Sequence, residues 1–291
     1  MPSLKEVKNR IASVNNTRKI TSAMKMVASA KLHNAQQAIE SMRPYEEQLS
    51  SIMSTFVASV EGEVQTPYAV SRPVQKVALV LLTSNSSLCG AYNANVIKAF
   101  THKVKAYREQ GVQVAAVYPI GRKAADAVRK QGFTPQHDYS AMLDHPAYQP
   151  AAELAKQLMQ SFVNGEVDRV DLIYHHFKSS ATQQLRDEEF LPLDLQASAS
   201  EPVAAGPALD FIVEPSMPEV LTQLVPKSLY LKLYTALLDS LASEHAARVI
   251  AMQVATDNAD ELLRELTLMY NKTRQQAITA ELLDIVGGSM Q

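Results

Sequence analysis

Few residues in this chain have types and spacings that suit chemistry. Cys89 ends a polar run, Ser84-Asn85-Ser86-Ser87-Leu88, and precedes Gly90. The run follows an apolar segment that reads as a strand, and α/β folds place ligand loops at such strand ends. A thiol there can act as a nucleophile, but a small buried cysteine in a tight turn is the commoner and inert outcome, and it is favoured here. His175 and His176 are adjacent on another expected strand, so their side chains point to opposite faces and cannot chelate one ion together. No glycine begins the string of glycine, four residues, glycine and lysine whose amides and ammonium converge on phosphates. Neither a cofactor nor a metal is expected. With a single cysteine in 291 residues, an intrachain disulfide and a multi-cysteine metal cluster are both excluded.

The elements that would carry such residues differ between the ends and the middle. No glycine occurs before Gly62, and the prolines of that stretch are Pro2 and Pro44. Ser3-Leu4-Lys5-Glu6 is a capping box, in which the Ser3 hydroxyl and the Glu6 carboxylate each meet an amide that the first helical turn leaves unpaired. Leu4, Val7, Ile11 and Val14 step by three and four, and the stripe is read as resuming at Ile20, Met24, Val27, Ala28, Ala35, Ile39 and Met42. A long helix over residues 1–60 follows, with a kink or break expected at Pro44. Lys227 to Val286 contain neither proline nor glycine. There Met252, Ala255, Ala259, Leu262, Leu266, Met269 and Thr273 read as a coiled-coil seam. At 1.5 Å per residue a 60-residue helix is roughly 90 Å long, beyond the size of a compact domain, so it needs a partner. The first helix is the obvious one, and an antiparallel hairpin of 1–60 with 216–291 is expected.

The middle, 75–195, alternates strand and helix. Lys76–Thr83, Val112–Tyr118, Val170–Phe177 and Gln184–Leu191 read as strands, and Asn93–Gln110, Gly121–Gln131 and Ala151–Val163 as helices. The fold class expected is α/β plus a long antiparallel two-helix coiled coil, with a Rossmann-like, mostly parallel sheet inserted between the N- and C-terminal helices. Residues 196–215 are small, polar and proline-containing and read as a linker.

Charge is nearly balanced overall, 28 basic against 30 acidic residues, so no global field draws nucleic acid or anionic lipid. Locally it is not. Met1 to Pro44 carry eight Lys and Arg against Glu6 and Glu40, or +6, while Glu244 to Asp284 carry seven acids and four bases, or −3. Either an acidic partner or the acidic mate helix can answer that excess. Near the C-terminus Ala277, Ile278, Ala280, Leu282, Leu283, Ile285 and Val286 cover more of the helix circumference than a two-helix seam requires, so something else should wrap that tip. The start, MPSLKEVKNR, lacks the apolar stretch of a signal peptide, so the mature chain is expected to begin here.

Two strings carry a family resemblance. NNTRKITSAMKMVASAKLHNAQ (Asn15 to Gln36) and SEHAARVIAMQVATDNADELLRELTLMYNKTRQQAITAELLDIVGG (Ser243 to Gly288) closely resemble the gamma subunit of F-type ATP synthases, with LCGAYN (Leu88 to Asn93) as a third landmark. The resemblance implies a non-catalytic central rotor shaft. It implies a hairpin inside a ring of alternating alpha and beta subunits, with the α/β domain beside the epsilon subunit and the membrane rotor ring. Proton flow would then be coupled to ATP synthesis or hydrolysis. The family's contacts with the alpha/beta ring fall on Met24, Lys25, Arg248, Gln275, Thr279 and Glu281. Phe211 and Glu214, beside Pro215, resemble the foot that meets the membrane ring. A hetero-oligomer is implied, peripheral to the cytoplasmic face of a bacterial plasma (inner) membrane, without direct membrane insertion. Many family members have an acidic and a basic residue where this chain has Asn85-Ser86, so no ion-pair role transfers to that loop. Nor does the redox control of photosynthetic versions, which uses a cysteine pair absent here. Two other readings compete: a ligand-binding enzyme with a helical oligomerisation arm, and a generic coiled-coil adaptor.

Overall fold

A computed structural model describes residues 3–59, 66–193 and 217–289. The chain divides into two compact units. One comprises Met1–Ala30 and Arg248–Gln291, the other Lys31–Ala247. Both long helices contribute to both units: α1 (Leu4–Ser59) and α6 (Met217–Ser289).

The larger unit holds a four-stranded sheet in the order β2-β1-β3-β4. Its strands are β1 (Lys76–Leu82), β2 (Gln113–Ile120), β3 (Arg169–Phe177) and β4 (Gln183–Leu191). β1 pairs in parallel with β2 and with β3, and β4 runs antiparallel at the edge. Between them come α2 (Tyr92–Glu109), α3 (Arg122–Lys130), α4 (Ala141–Asp144) and α5 (Tyr148–Val163). The expected strands and helices are thus present, with ends that coincide or are shifted by at most three residues.

β1 is apolar on both faces, as a central parallel strand must be when helices cover both sides. Val77, Leu79 and Leu81 pack with Phe100 and Val104 of α2 and with Val128 of α3. Ala78, Val80 and Leu82 face α5, through Leu154, Leu158 and Phe162, and the first half of α6, through Val225, Leu229, Leu233 and Leu237. That half of α6 is therefore a layer of the α/β core, not only a coiled-coil strand. Periodicity marks the apolar stripe of a helix but not the surface that the stripe will meet.

α1 begins at the expected cap: the Glu6 amide donates to Ser3 Oγ at 3.2 Å and the Val7 amide to the Ser3 carbonyl at 3.0 Å. It continues through Pro44 as one helical element, so no break occurs there. α6 likewise runs past Gly287-Gly288 to Ser289. The segment 196–215, with Phe211 and Glu214, lies outside the described residues.

In the smaller unit α1 and α6 are antiparallel. Arg18 Nη1 donates to Asp260 Oδ1 at 3.0 Å, the Thr21 and Thr256 hydroxyls lie 2.8 Å apart, and Lys25 Nζ donates to Gln253 Oε1 at 2.5 Å. The first members of these pairs ascend while the second descend. The seam follows the heptad rule more strictly than the apolar residues alone suggest. On α1 it is Leu4, Val7, Ile11, Val14, Arg18, Thr21, Lys25 and Ala28, all buried or half-buried. On α6 it is Met252, Thr256, Ala259, Leu263, Leu266, Tyr270, Thr273 and Ala277, again buried or half-buried. Ile20 and Val27, expected in the seam, are each 59% exposed; Leu262 and Met269 are 42% and 44% exposed. Their places are taken by Thr21, Leu263 and Tyr270.

Candidate functional site

In the strand-end loop the polar groups are occupied by helix starts. The Asn85 side-chain oxygen accepts from the Arg122 amide at 3.2 Å, the Ser84 carbonyl from the Lys123 amide at 3.2 Å, and Thr83 Oγ1 from the Ala124 amide at 2.8 Å. These three acceptors satisfy the first amides of α3, which no intrahelical carbonyl reaches. Gly121 makes the close approach possible: its φ is +107°, and a Cβ there would sit 2.6 Å from the Thr83 carbonyl oxygen. Asn93 at the start of α2 accepts the Ser84 amide at 3.0 Å and donates to Cys89 Sγ at 3.1 Å. Cys89 itself is 1% exposed. The loop caps α3 and is held to the start of α2 through Asn93, a tight polar turn with a buried thiol, as the commoner reading of Cys89 expected.

His175 and His176 do face opposite sides of β3. His175 is 2% exposed and stacks on Tyr92, with ring centroids 4.6 Å apart; burial holds its pKa down at about 4, so it is neutral at physiological pH. His176 turns to α6 and meets Asp239. Among the described residues no group of three or more His, Cys, Asp or Glu is placed to hold a metal ion.

The other polar concentration, between α2 and the β3-β4 edge, is a structural network. Asp171 is fully buried, and sequence reasoning missed it because an aspartate in an apolar run carries no signal of its partners. It accepts from Arg169 Nε at 2.8 Å and from the Tyr107 hydroxyl, and Lys103 Nζ lies 3.0 Å away. A buried carboxylate so surrounded is neutralised and satisfied. Tyr107 is raised well above the ordinary phenol range, first by burial and then by its hydrogen bond to Asp171, so it remains a donor.

The surface feature that stands out is apolar. Thirteen of the twenty exposed large apolar side chains among the described residues belong to the smaller, two-helix unit. Heptad bookkeeping shows where some of them go. With Thr21 and Ala259 at d positions, Ile20 and Val27 are c positions, and Met24, Leu262 and Met269 are g positions. In an antiparallel pair g positions of the two helices adjoin, so these residues share one flank. The opposite flank, with Lys8, Asn15 and Ser22 on α1 and Gln253, Asp260 and Thr267 on α6, is polar. Residues expected in the seam by type therefore lie beside it, on a single side. At the α6 tip Ile278, Leu282, Leu283, Ile285 and Val286 are all 48% exposed or more.

The six expected ring contacts all fall in this unit but not on one patch. Met24 is half-buried beside the seam, and Lys25 lies in the seam itself, bonded to Gln253. Arg248 is 8% exposed. Gln275, Thr279 and Glu281 are exposed at positions f, c and e around the tip.

An α/β domain spliced into a two-helix coiled coil, with capped loops, a neutralised buried network and an exposed apolar surface on the helices, defines a class of protein that works by contact with partners. The match to known proteins specifies it further. A family model described as ATP synthase matches residues 3–290. The chain is 57% identical over 290 residues to the ATP synthase gamma chain of Bacteroides fragilis, covering all of both chains, and 48% identical to that of Flavobacterium johnsoniae, covering 99% and 98%. Among solved structures it resembles a chain of the Tetrahymena thermophila mitochondrial ATP synthase central stalk and c-ring, with a TM-score of 0.57 and 25% identity over 81% of this chain and 99% of that one. It shares the fold of a chain in the Euglena gracilis mitochondrial ATP synthase at a TM-score of 0.64 and 21% identity, covering 99% and 93%. The chain belongs to the ATP synthase gamma chain family, as the two strings and the LCGAYN landmark had implied. It is a central-stalk subunit, not catalytic by itself.

Proposed function

We propose that the chain is the rotor shaft of a proton-translocating ATP synthase, passing rotation of a membrane ring to a catalytic ring of alpha and beta subunits and so coupling proton flow to ATP synthesis or hydrolysis. The observation that carries this reading is the exposed apolar surface of the two-helix unit, which α1 and α6 do not cover for each other. Large exposed apolar patches mark partner surfaces. A sleeve of partner subunits around that unit is what the surface calls for.

The two unlike flanks supply a physical basis for coupling. One shaft inside a three-fold ring cannot present the same side to all three catalytic subunits, so each meets a different surface and is biased toward a different conformation. A shaft that contacted every conformation equally would shift no equilibrium, however tightly it bound. Met24, on the apolar flank, Lys25 and Arg248, and the tip residues Gln275, Thr279 and Glu281 are the proposed contacts. The remaining partners of this reading are the epsilon subunit beside the α/β unit and the membrane ring, met by a foot at Phe211 and Glu214. The location that follows is the cytoplasmic face of a bacterial plasma membrane, without insertion, and no described helix is long and apolar enough to cross a membrane.

The test is Thr279→Ala combined with Glu281→Ala in the assembled enzyme. Proton-driven ATP synthesis per proton translocated is expected to fall while assembly persists. Unchanged coupling would remove these two residues from the working contacts.

A further inference from the structure

The seam of the two-helix unit carries three consecutive polar layers where apolar pairs would also fit. Arg18, Thr21 and Lys25 take successive a, d and a positions of α1, and each finds a partner on α6: Asp260 at 3.0 Å, Thr256 at 2.8 Å and Gln253 at 2.5 Å. Gln253 is aimed by a further bond, in which its side-chain nitrogen donates to Asp257 Oδ1 at 2.7 Å and leaves its oxygen for Lys25. Stability does not account for these layers. The Arg18 and Asp260 side chains are 40% and 42% exposed, and ion pairs so open to water contribute little.

The layers do discriminate between registers. Val7, Ile11 and Val14 of α1 and Leu263 and Leu266 of α6 are aliphatic knobs, and a core built of such residues loses its unique arrangement before it loses stability. If α6 slid by one heptad in one direction, Lys25 would meet Asp260, but Arg18 would meet Thr267 and Thr21 would face Leu263. In the other direction Arg18 would meet Gln253, but Thr21 would face Val249. Only the observed register satisfies all three layers at once. Asp260 and Gln253 are both e positions, so Arg18 and Lys25 lean from the seam toward the polar flank and away from the apolar one.

We propose that Arg18–Asp260, Thr21–Thr256 and Lys25–Gln253 are positioning pairs that set the register of α1 against α6 and thereby hold Met24, Leu262 and Met269 on one flank. Polar groups at a positions fix register in other coiled coils at a cost in stability. The inference concerns the chain by itself and does not depend on the rotor reading.

Nitroxide labels on Ala30→Cys and Glu261→Cys, at exposed f positions of the two helices, report this register in the full-length chain by pulsed dipolar spectroscopy, with Cys89 buried out of reach of the label. A single narrow distance is expected for the native seam. Asp260→Arg sets two cations against each other and should broaden or split that distance, and Arg18→Asp added to it should restore the native one. Arg18→Leu with Asp260→Leu leaves no charge unpaired, so it should broaden the distance while the melting temperature holds or rises. A pair that only stabilised the helices would do the reverse. The leucine variant serves alone if Asp260→Arg does not fold. A native distance in either of these variants, or a charge swap that fails to restore it, would overturn the proposal.

Discussion

In the α/β unit Leu79, Phe100, Phe162 and Leu172 are wholly buried, whereas in the two-helix unit Leu268, Leu282, Leu283 and Ile285 are each more than half exposed. The first unit closes its core with its own residues: two layers of helix cover both faces of β1, and its buried charge, Asp171, has three partners. The second has only one seam, filled in part by Arg18, Thr21 and Lys25, and leaves an apolar flank and tip outside it. The difference teaches that the two units have different sources of stability. One buries its apolar residues against its own elements; the other leaves many of its apolar side chains exposed, as the proposed sleeve of partner subunits requires.

That contrast can be broken by substitution. Phe100→Ala should destabilise the isolated chain by about 3–5 kcal/mol in urea unfolding, through lost transfer energy and the cavity left behind. Leu268→Ala, 71% exposed, should change the same measurement by less than about 0.5 kcal/mol. If the two cost the same, the exposed residues belong to a core after all and the contrast fails.

The buried network gives a sharper and smaller effect. Tyr107→Phe deletes one donor to a carboxylate without access to water, and about 1–3 kcal/mol should be lost. The seam gives the smallest. Thr21 and Thr256 also bond to the carbonyls of Arg18 and Met252 in their own helices, so neither hydroxyl depends on the other alone. Replacing both by valine keeps the shape and should move stability by no more than about 1 kcal/mol, in the stabilising direction if anything, because both partners of the bond are removed together. A large loss there, by thermal unfolding, would make the polar seam a requirement of the helix pair.

Much of this architecture could be read from residue types. The Ser3 cap, the four strands, the capped turn around Cys89 and the opposed faces of His175 and His176 each follow from local chemistry or from period two. The seam was legible where type and position agree, at Leu4, Val7, Ile11, Val14, Met252, Ala259 and Leu266. It was misread at Ile20, Met24, Val27, Ala255, Leu262 and Met269, because an apolar residue declares that it will be covered, not by what. Likewise the stripe of α6 gave no sign that Val225 to Leu241 would lie on a sheet. The buried Asp171 network was not visible, since Tyr107 and Lys103 come from α2, some 64 residues or more away in the chain, and meet Asp171 of β3 only in three dimensions. As for the candidate surface, the excess of apolar residues at the α6 tip was visible; the division of the helix pair into an apolar and a polar flank needed the register.

The most direct test of the shaft reading is native mass spectrometry of the complex recovered through this chain from membranes of its own organism. The account predicts one copy of this chain with three alpha and three beta subunits. Recovery as a free monomer or a homo-oligomer, under conditions in which such rings survive, would contradict it.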